Sequence, residues 1–191
     1  MIRYMITDGS AARDSGVWLE NIFDQIQRGI HFIQIREPEL NARELLAMVK
    51  RVCAGRGAAK VLINDRADIA IAAEADGVHL RDGSIAAERI RRITNRRLIV
   101  SVSCHGVASA SRAAQEGADF IVLAPVFAPL SKSTPQPPLG LDKLSEAAGS
   151  VAVPVIALGG ITETNARACT DAGAAGIAGI SLFSRRSAGN Q

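Results

Sequence analysis

Eight short apolar runs divide this chain, and most of them end at a cluster of polar residues or glycines. The runs occupy residues 2–7, 31–36, 60–64, 77–80, 98–103, 120–127, 153–158 and 175–180. In a parallel barrel the carboxyl ends of all strands point to one face, and that face carries the chemistry. Eight strands of this kind would therefore bring the eight polar clusters together in one place.

Segments with a helical pattern alternate with these runs. One opens with Asn41 and has Glu44 three residues later, the spacing of a capping box at a helix N-terminus. Strict alternation of strand and helix predicts an α/β fold, here a compact (β/α)8 TIM barrel formed by residues 1–191 as a single domain. An open, doubly wound sheet is the alternative. It is disfavoured because no Gly-x-Gly-x-x-Gly motif follows the first run.

The composition narrows the classes of partner. The net charge is only +3, and the one cluster of cations is more typical of the solvated side of a helix and the turn after it than of a nucleic-acid patch. That cluster consists of Arg89, Arg91, Arg92, Arg96 and Arg97. No apolar stretch is long enough to span a membrane, and three cysteines form no CxxC pair. With no signal peptide at the N-terminus, we expect a cytoplasmic protein that binds neither nucleic acid nor membrane.

Glycines after the seventh and eighth runs predict a phosphate site. Gly159 and Gly160 follow the seventh run, and Gly179, Ile180 and Ser181 close the eighth. Backbone N–H groups near glycine can approach a phosphate closely, and these two loops are the usual phosphate-binding loops of this barrel. The alternative is that the glycines only form tight turns.

Lys132 lies beside Ser131 in a proline-rich segment, residues 128–140, which is the one long irregular stretch of the chain. Loops of that length in compact domains are often functional. An ammonium group there would stabilise a departing diphosphate. The alternative is a solvated loop lysine.

Asp65 ends the third run and has two interpretations. A carboxylate at a strand end is an oxygen ligand for Mg²⁺, which bridges diphosphates. Alternatively, Asp65 caps the helix that follows it. The polar side chains of Gln34, Arg36 and Glu37 at the end of the second run are either ligand-binding residues or members of barrel ion pairs.

Two histidines lie near strand ends. His79 fits a hydrogen-bonded position in the barrel interior better than a catalytic one. His105 is better placed for proton transfer.

The order and spacing of these motifs resemble the thiamine-phosphate synthase family and its close branch, the thiazole tautomerases. The resemblance runs from Tyr4 to Ser181. It includes the segments QIRE at 34–37, INDRAD at 63–68, ADGVHL at 75–80, SCH at 103–105, GAD at 117–119, PVF at 125–127, SK at 131–132 and ALGGI at 157–161. It implies a (β/α)8 barrel that joins a pyrimidine-methyl diphosphate to a thiazole phosphate, with release of diphosphate.

The resemblance also implies a role for each matching residue. The pyrimidine diphosphate would be held by Gln34, Arg36, Asn64, Ser103 and Lys132, of which Arg36, Ser103 and Lys132 are the implied catalytic residues. The thiazole phosphate would be held by Pro129, Leu130, Ser131, Gly160, Ile180 and Ser181. Asp65 would bind the Mg²⁺ cofactor. The implied partners are these phosphorylated small molecules, and self-association into a homo-oligomer is left open.

The chain departs from the synthase pattern at two positions. Pro38 stands where the synthases usually have lysine, and Ser84 stands where they have a second Mg²⁺-binding aspartate. Asp82 is an alternative ligand if the loop has another shape. Pro125 stands where the tautomerase pattern has its catalytic histidine. Two further hypotheses therefore remain: a tautomerase-like isomerase that uses His105, and a non-catalytic ligand-binding regulatory protein.

Overall fold

Eight parallel strands form a closed barrel in the order of the sequence, and the pairing of β8 with β1 completes it. The computed structural model describes residues 1–94, 98–128 and 137–184. The strands are β1 Ile2–Ile6, β2 Phe32–Ile35, β3 Lys60–Asn64, β4 Gly77–Leu80, β5 Ile99–Cys104, β6 Phe120–Leu123, β7 Val155–Ala157 and β8 Gly176–Gly179. The predicted (β/α)8 barrel is confirmed, and the alternative of an open sheet is wrong.

One helix follows each of the first seven strands within the described residues. They are α1 Ser15–Gln27, α2 Ala42–Gly55, α3 Ala67–Ala72, α4 Ala87–Ile93, α5 Val107–Gln115, α6 Gly140–Ser150 and α7 Ala166–Asp171. The capping box of α2 is confirmed: the Asn41 side chain accepts from the backbone of Glu44, and Glu44 accepts from that of Asn41. None of the helices described here is long and apolar enough to cross a membrane.

The arginine cluster of the sequence falls partly on α4. Arg89 and Arg92 are exposed on this helix, and Arg91 pairs with Asp119 at 2.6 Å. Arg96 and Arg97 lie outside the described residues.

Alternate residues of each strand face the barrel interior or the surrounding helices. In β1, Tyr4 and Ile6 belong to the interior cluster, whereas Met5 packs with the helices. The interior positions near the carboxyl ends of β2, β3, β4 and β5 carry polar side chains, which are Gln34, Asn64, His79 and Ser103. Because side chains alternate along each strand, these four polar groups lie together at one end of the barrel.

Aromatic side chains fill the opposite end. The Tyr4 ring lies 5.9 Å from that of Phe32 and 5.8 Å from that of Phe120, centroid to centroid. Phe32 and Phe120 begin β2 and β6, so this aromatic packing lies toward the amino end of the barrel. The polar end remains available for a ligand.

Candidate active site

A cavity of about 530 Å³ opens at the carboxyl ends of the strands. Six predicted site residues line it: Gln34, Arg36, Asn64, Asp65, Ser103 and Ile180. The rest of its lining is Ile6, Ile35, Glu37, Pro38, Leu40, Leu45, Arg66, His79, Arg81 and Leu158. The polar clusters of separate strands thus meet at one face, as the sequence predicts.

Two amides at the floor of the cavity are held in one orientation. The Gln34 side chain donates from Nε2 to Oδ1 of Asn64 at 2.8 Å, and its Oε1 accepts from the Tyr4 hydroxyl at 3.0 Å. Tyr4 is fully buried, and burial raises the pKa of its phenol, so the hydroxyl stays protonated and keeps donating. The Asn64 amide is therefore presented to the cavity by a chain of bonds that begins in the core.

His79 is an interior residue between two serines. It is 3% exposed, and the hydroxyls of Ser101 and Ser103 lie 2.8 Å from its Nδ1 and Nε2. Burial lowers the pKa of His79 to about 4, so the ring is neutral at pH 7. A neutral imidazole donates from one nitrogen and accepts at the other. His79 therefore orients the Ser103 hydroxyl, and the interior interpretation agrees with this geometry.

We expect acid to destabilise the fold through His79. Its pKa is about 4 in the folded chain, whereas an unperturbed histidine titrates near pH 6.5. The unfolded chain binds this proton first as the pH falls. The stability contributed by neutral His79 is therefore complete above about pH 6.5 and is lost progressively toward about pH 4.

Thermal unfolding as a function of pH measures this effect. His79→Gln should show a smaller loss of Tm between about pH 7 and pH 4.5 than the parent chain. Equal losses in the parent and in His79→Gln would contradict the prediction.

Asp65 does not cap the helix that follows it. The residue at the start of α3 is Arg66, and no side chain caps that helix. Asp65 instead adopts a left-handed backbone conformation with φ of 53°, which aspartate tolerates better than most residues. Its carboxylate accepts from the backbone N–H of Arg81 at 3.2 Å and lies 2.5 Å from Nε of the same residue. The carboxylate thus stays at the cavity with a cation beside it.

Glu37 is a structural carboxylate rather than a member of an ion pair. It is 5% exposed and accepts three hydrogen bonds: from the Trp18 indole at 2.8 Å, the Ala11 N–H at 3.0 Å and the Gly9 N–H at 3.3 Å. These donors belong to the β1–α1 loop and the first turns of α1. Glu37 therefore fixes that loop against the rim of the cavity.

The arginines of the cavity differ in their pairing. Arg66 pairs with Asp68 at 2.6 Å, and Arg81 pairs with Asp65. Arg36 is exposed, its backbone N–H donates to the Thr7 hydroxyl, and its side chain forms no ion pair within the described part of the chain. Arg36 is thus a cation free to meet a ligand.

Asp82 and Ser84 lie outside the lining of the main cavity. Asp82 pairs with Arg112 of α5 at 2.5 Å, and Ser84 is exposed. Over residues 1–94, 98–128 and 137–184, no three His, Cys, Asp or Glu side chains are grouped to hold a metal ion. Asp65 is therefore the one predicted metal ligand that the structure places in the main cavity.

A second cavity of about 450 Å³ adjoins the first and shares Arg81 and Ser103 with it. His105 lines this cavity, and its Nδ1 lies 2.8 Å from the carbonyl oxygen of Ala124. A carbonyl only accepts, so Nδ1 carries a proton and Nε2 of the neutral ring is left as an acceptor. His105 is thus accessible and able to take up a proton.

The loops after β7 and β8 begin side by side because these strands pair. Gly160 has φ of 61°, and a Cβ atom there would lie 2.4 Å from the Ala128 carbonyl oxygen. Glycine is therefore needed for close packing of this loop against the β6–α6 connection. Ile180 lines the main cavity, and Ser181 is exposed. Pro129, Leu130, Ser131 and Lys132 lie outside the described residues.

Sequence reasoning missed Arg81 and Tyr4. Arg81 directly follows β4, just as Asp65 directly follows β3. Its position in the sequence could therefore have identified it as a site residue. Tyr4 gives no such signal, because its contact with Gln34 depends on the barrel register.

Comparisons with known proteins identify the family of this chain. The thiamine monophosphate synthase family matches residues 3–183. An Aquifex aeolicus protein named "Putative thiamine-phosphate synthase 2" is 43% identical over 182 residues, which cover 94% of this chain and 96% of that protein. The thiamine-phosphate synthase of Roseiflexus castenholzii is 37% identical over 182 residues, with 94% and 79% covered. The solved structure of thiamine phosphate pyrophosphorylase from Pyrococcus furiosus matches with a TM-score of 0.81 at 31% identity, over 94% of this chain and 85% of that one. The chain therefore belongs to the thiamine monophosphate synthase family.

Proposed function

We propose that this chain is a thiamine-phosphate synthase, a transferase that joins 4-amino-2-methyl-5-(diphosphomethyl)pyrimidine to thiazole phosphate and releases diphosphate. One observation carries the proposal beyond family membership. A single cavity brings together Gln34, Arg36, Asn64, Asp65 and Ser103, which come from three strand ends. Amides suit the amino group and ring nitrogens of the pyrimidine, and a cation and a hydroxyl suit its diphosphate.

The pyrimidine would lie on the floor of the cavity. Asn64 is held by Gln34, and each amide retains capacity for another hydrogen bond to a heterocycle. Because Tyr4 fixes Gln34 from below, the ring would meet groups that are already oriented. Preorganised contacts of this kind hold the methylene carbon where the thiazole nitrogen can reach it.

The diphosphate would lie above the ring, toward the cations. Arg36 and the Ser103 hydroxyl would donate to its oxygens, and Lys132 would add a further positive charge. When the carbon–oxygen bond breaks, the electron pair stays with the diphosphate and leaves a pyrimidine-methyl cation. Donors that are aimed at the departing oxygens stabilise that charge as it develops. The lone pair of the thiazole nitrogen then forms the new carbon–nitrogen bond.

The residues present fit a Mg²⁺ ion that is shared with the substrate. Asp65 supplies a carboxylate in the main cavity, and that carboxylate already has a cationic partner in Arg81. Mg²⁺ commonly uses one or two carboxylates plus substrate phosphates, and it would neutralise the leaving diphosphate. Asp65 would hold the ion, with Asp82 and Ser84 placed outside the main cavity.

The thiazole phosphate would bind at the loops after β7 and β8. Gly160, Ile180 and Ser181 would offer backbone N–H groups there, and the family resemblance assigns Pro129, Leu130 and Ser131 to the same ligand. The pairing of β7 with β8 supports this placement, since it makes the two loops neighbours on the barrel rim.

A tautomerase-like isomerase is the second candidate, and the geometry of His105 favours it. Its Nε2 is free to accept a proton at the second cavity. This activity would need the thiazole-phosphate site and a base but no diphosphate.

One assay separates the two functions. Purified protein is incubated with the pyrimidine diphosphate, thiazole phosphate and Mg²⁺, and thiamine phosphate and diphosphate are measured together. The synthase should form them in equal amounts, and only when both substrates are present. Absence of thiamine phosphate, with proton exchange into thiazole phosphate that His105→Gln removes, would replace the synthase by the isomerase.

We expect Lys132→Ala to lower turnover by on the order of 10²-fold, since it removes one charge that stabilises the leaving group. The Tm should stay close to that of the parent chain. Lys143→Ala is the control: Lys143 is an exposed residue of α6 that pairs with Glu146. Unchanged turnover of Lys132→Ala at saturating substrate would remove Lys132 from the mechanism.

A further inference from the structure

We propose that Arg81 is a further diphosphate-binding residue of this site. Its guanidinium pairs with Asp65 in the free protein and is released to the substrate diphosphate when a divalent cation binds Asp65. The inference rests on the proposed function and adds to it a residue that the family pattern did not suggest.

The geometry of the pair suits such an exchange. Arg81 is the first residue after β4, and both its backbone N–H and its Nε approach the carboxylate of Asp65, at 3.2 and 2.5 Å. The Asp65 side chain is 20% exposed, whereas that of Arg81 is 77% exposed. The carboxylate is therefore fixed by the fold, and the guanidinium is held mainly by the ion pair. Exposed ion pairs are weak, so Arg81 can change partners at little cost.

Arg81 also has the chemistry and the position for a diphosphate. A guanidinium offers five N–H donors in a planar fork that matches two phosphate oxygens, and one carboxylate cannot use them all. Arg81 and Ser103 line both cavities, so the guanidinium stands where the two cavities meet. A diphosphate bound to Ser103 would therefore lie next to the Arg81 side chain.

The other lining residues of the cavity supply little positive charge for a diphosphate. Pro38 of the lining carries no charge, and Arg66 is paired with Asp68. Among the described lining residues, Arg36 is then the cation without an ion pair, and Arg81 becomes available to a ligand once a divalent cation binds its partner Asp65. Without Arg81, Arg36 alone would neutralise the diphosphate within this lining.

The two roles of Arg81 predict opposite effects on two ligands. In the free protein the guanidinium competes with a metal cation for Asp65, so its removal should tighten metal binding. With the diphosphate it adds an attractive contact, so its removal should weaken diphosphate binding. A residue that only stabilised the loop would shift both affinities in the same direction or neither.

Calorimetry at constant ionic strength tests this with inorganic pyrophosphate and Mg²⁺ as separate probes. For Arg81→Gln, the Kd of pyrophosphate at saturating Mg²⁺ should rise about tenfold, as expected for the loss of a hydrogen bond to a charged group. The Kd of Mg²⁺ without pyrophosphate should fall several-fold. Arg28→Gln is the matched control, since it breaks an exposed pair with Asp24 on α1, at 2.9 Å, and should change neither constant.

Two results would overturn the inference: unchanged constants for both probes in Arg81→Gln, or weaker binding of both. If the parent still forms thiamine phosphate, those results remove the role of Arg81 and leave the proposed function intact. If the parent protein forms no thiamine phosphate, the proposed function is wrong. The inference about Arg81 then fails with it, whatever the calorimetry shows.

Discussion

Asp65→Asn is expected to lower the turnover of thiamine phosphate by about 10³-fold, because it removes the one carboxylate placed to share a divalent cation with the diphosphate. The substitution is nearly isosteric, and asparagine also tolerates the positive φ of 53° at this position. The backbone and the neighbouring strand should therefore be unchanged. Measuring kcat with both substrates saturating, together with the Tm, separates loss of function from loss of fold.

The control for Asp65→Asn is the same change at an exposed aspartate far from the cavity. Asp171 on α7 is such a residue, since its side chain is 69% exposed and lies 3.8 Å from Arg167. Asp171→Asn should keep the turnover of the parent. If Asp65→Asn also turned over within about twofold of the parent, Asp65 would not hold the catalytic cation and the mechanism proposed above would fail.

The barrel was predictable from the sequence because hydrophobic periodicity and chain direction determine it. Each of the eight apolar runs overlaps one strand, and the carboxyl ends of the strands meet as expected. Strand ends were less predictable. The run at 120–127 continues past β6, which ends at Leu123, because Val126 is buried although it lies beyond the strand. Apolar character indicates that a residue is buried and does not mark where a strand ends. Pro125 lacks the N–H group that would continue the pairing of β6.

The site was predictable where a residue type and a strand end coincide. Gln34, Asn64, Asp65 and Ser103 all line the main cavity for that reason. The partner of Asp65 was not predictable, because Arg81 meets it only through the pairing of β3 with β4. The helix-capping alternative failed for a local reason: the backbone of Asp65 turns left-handed, so its carboxylate leaves the helix end.

Glu37 gives the second large effect, and it acts on stability. Glu37→Ala is expected to lower the free energy of unfolding by about 4 kcal/mol, since buried donors lose a charged acceptor and a buried side chain is removed. The donors are the Trp18 indole and the backbone N–H groups of Ala11 and Gly9. Trp18 and Ala11 are each 4% exposed, so water replaces the lost acceptor poorly. For a chain of this size the Tm should fall by about 10 °C, as measured by thermal unfolding.

Two variants show whether the hydrogen bonds cause this loss. Glu37→Gln keeps the volume and one acceptor oxygen but turns an N–H₂ group toward one of the donors, so its Tm should lie between those of Glu37→Ala and the parent. Glu39→Ala removes an exposed carboxylate two residues away and should stay within about 0.5 kcal/mol of the parent. A loss below about 1 kcal/mol in Glu37→Ala would mean that the β1–α1 loop is held without this carboxylate. Since Glu37 also lines the cavity, the loop that it anchors forms part of the rim, and Glu37→Ala should weaken pyrophosphate binding even at temperatures where the barrel remains folded.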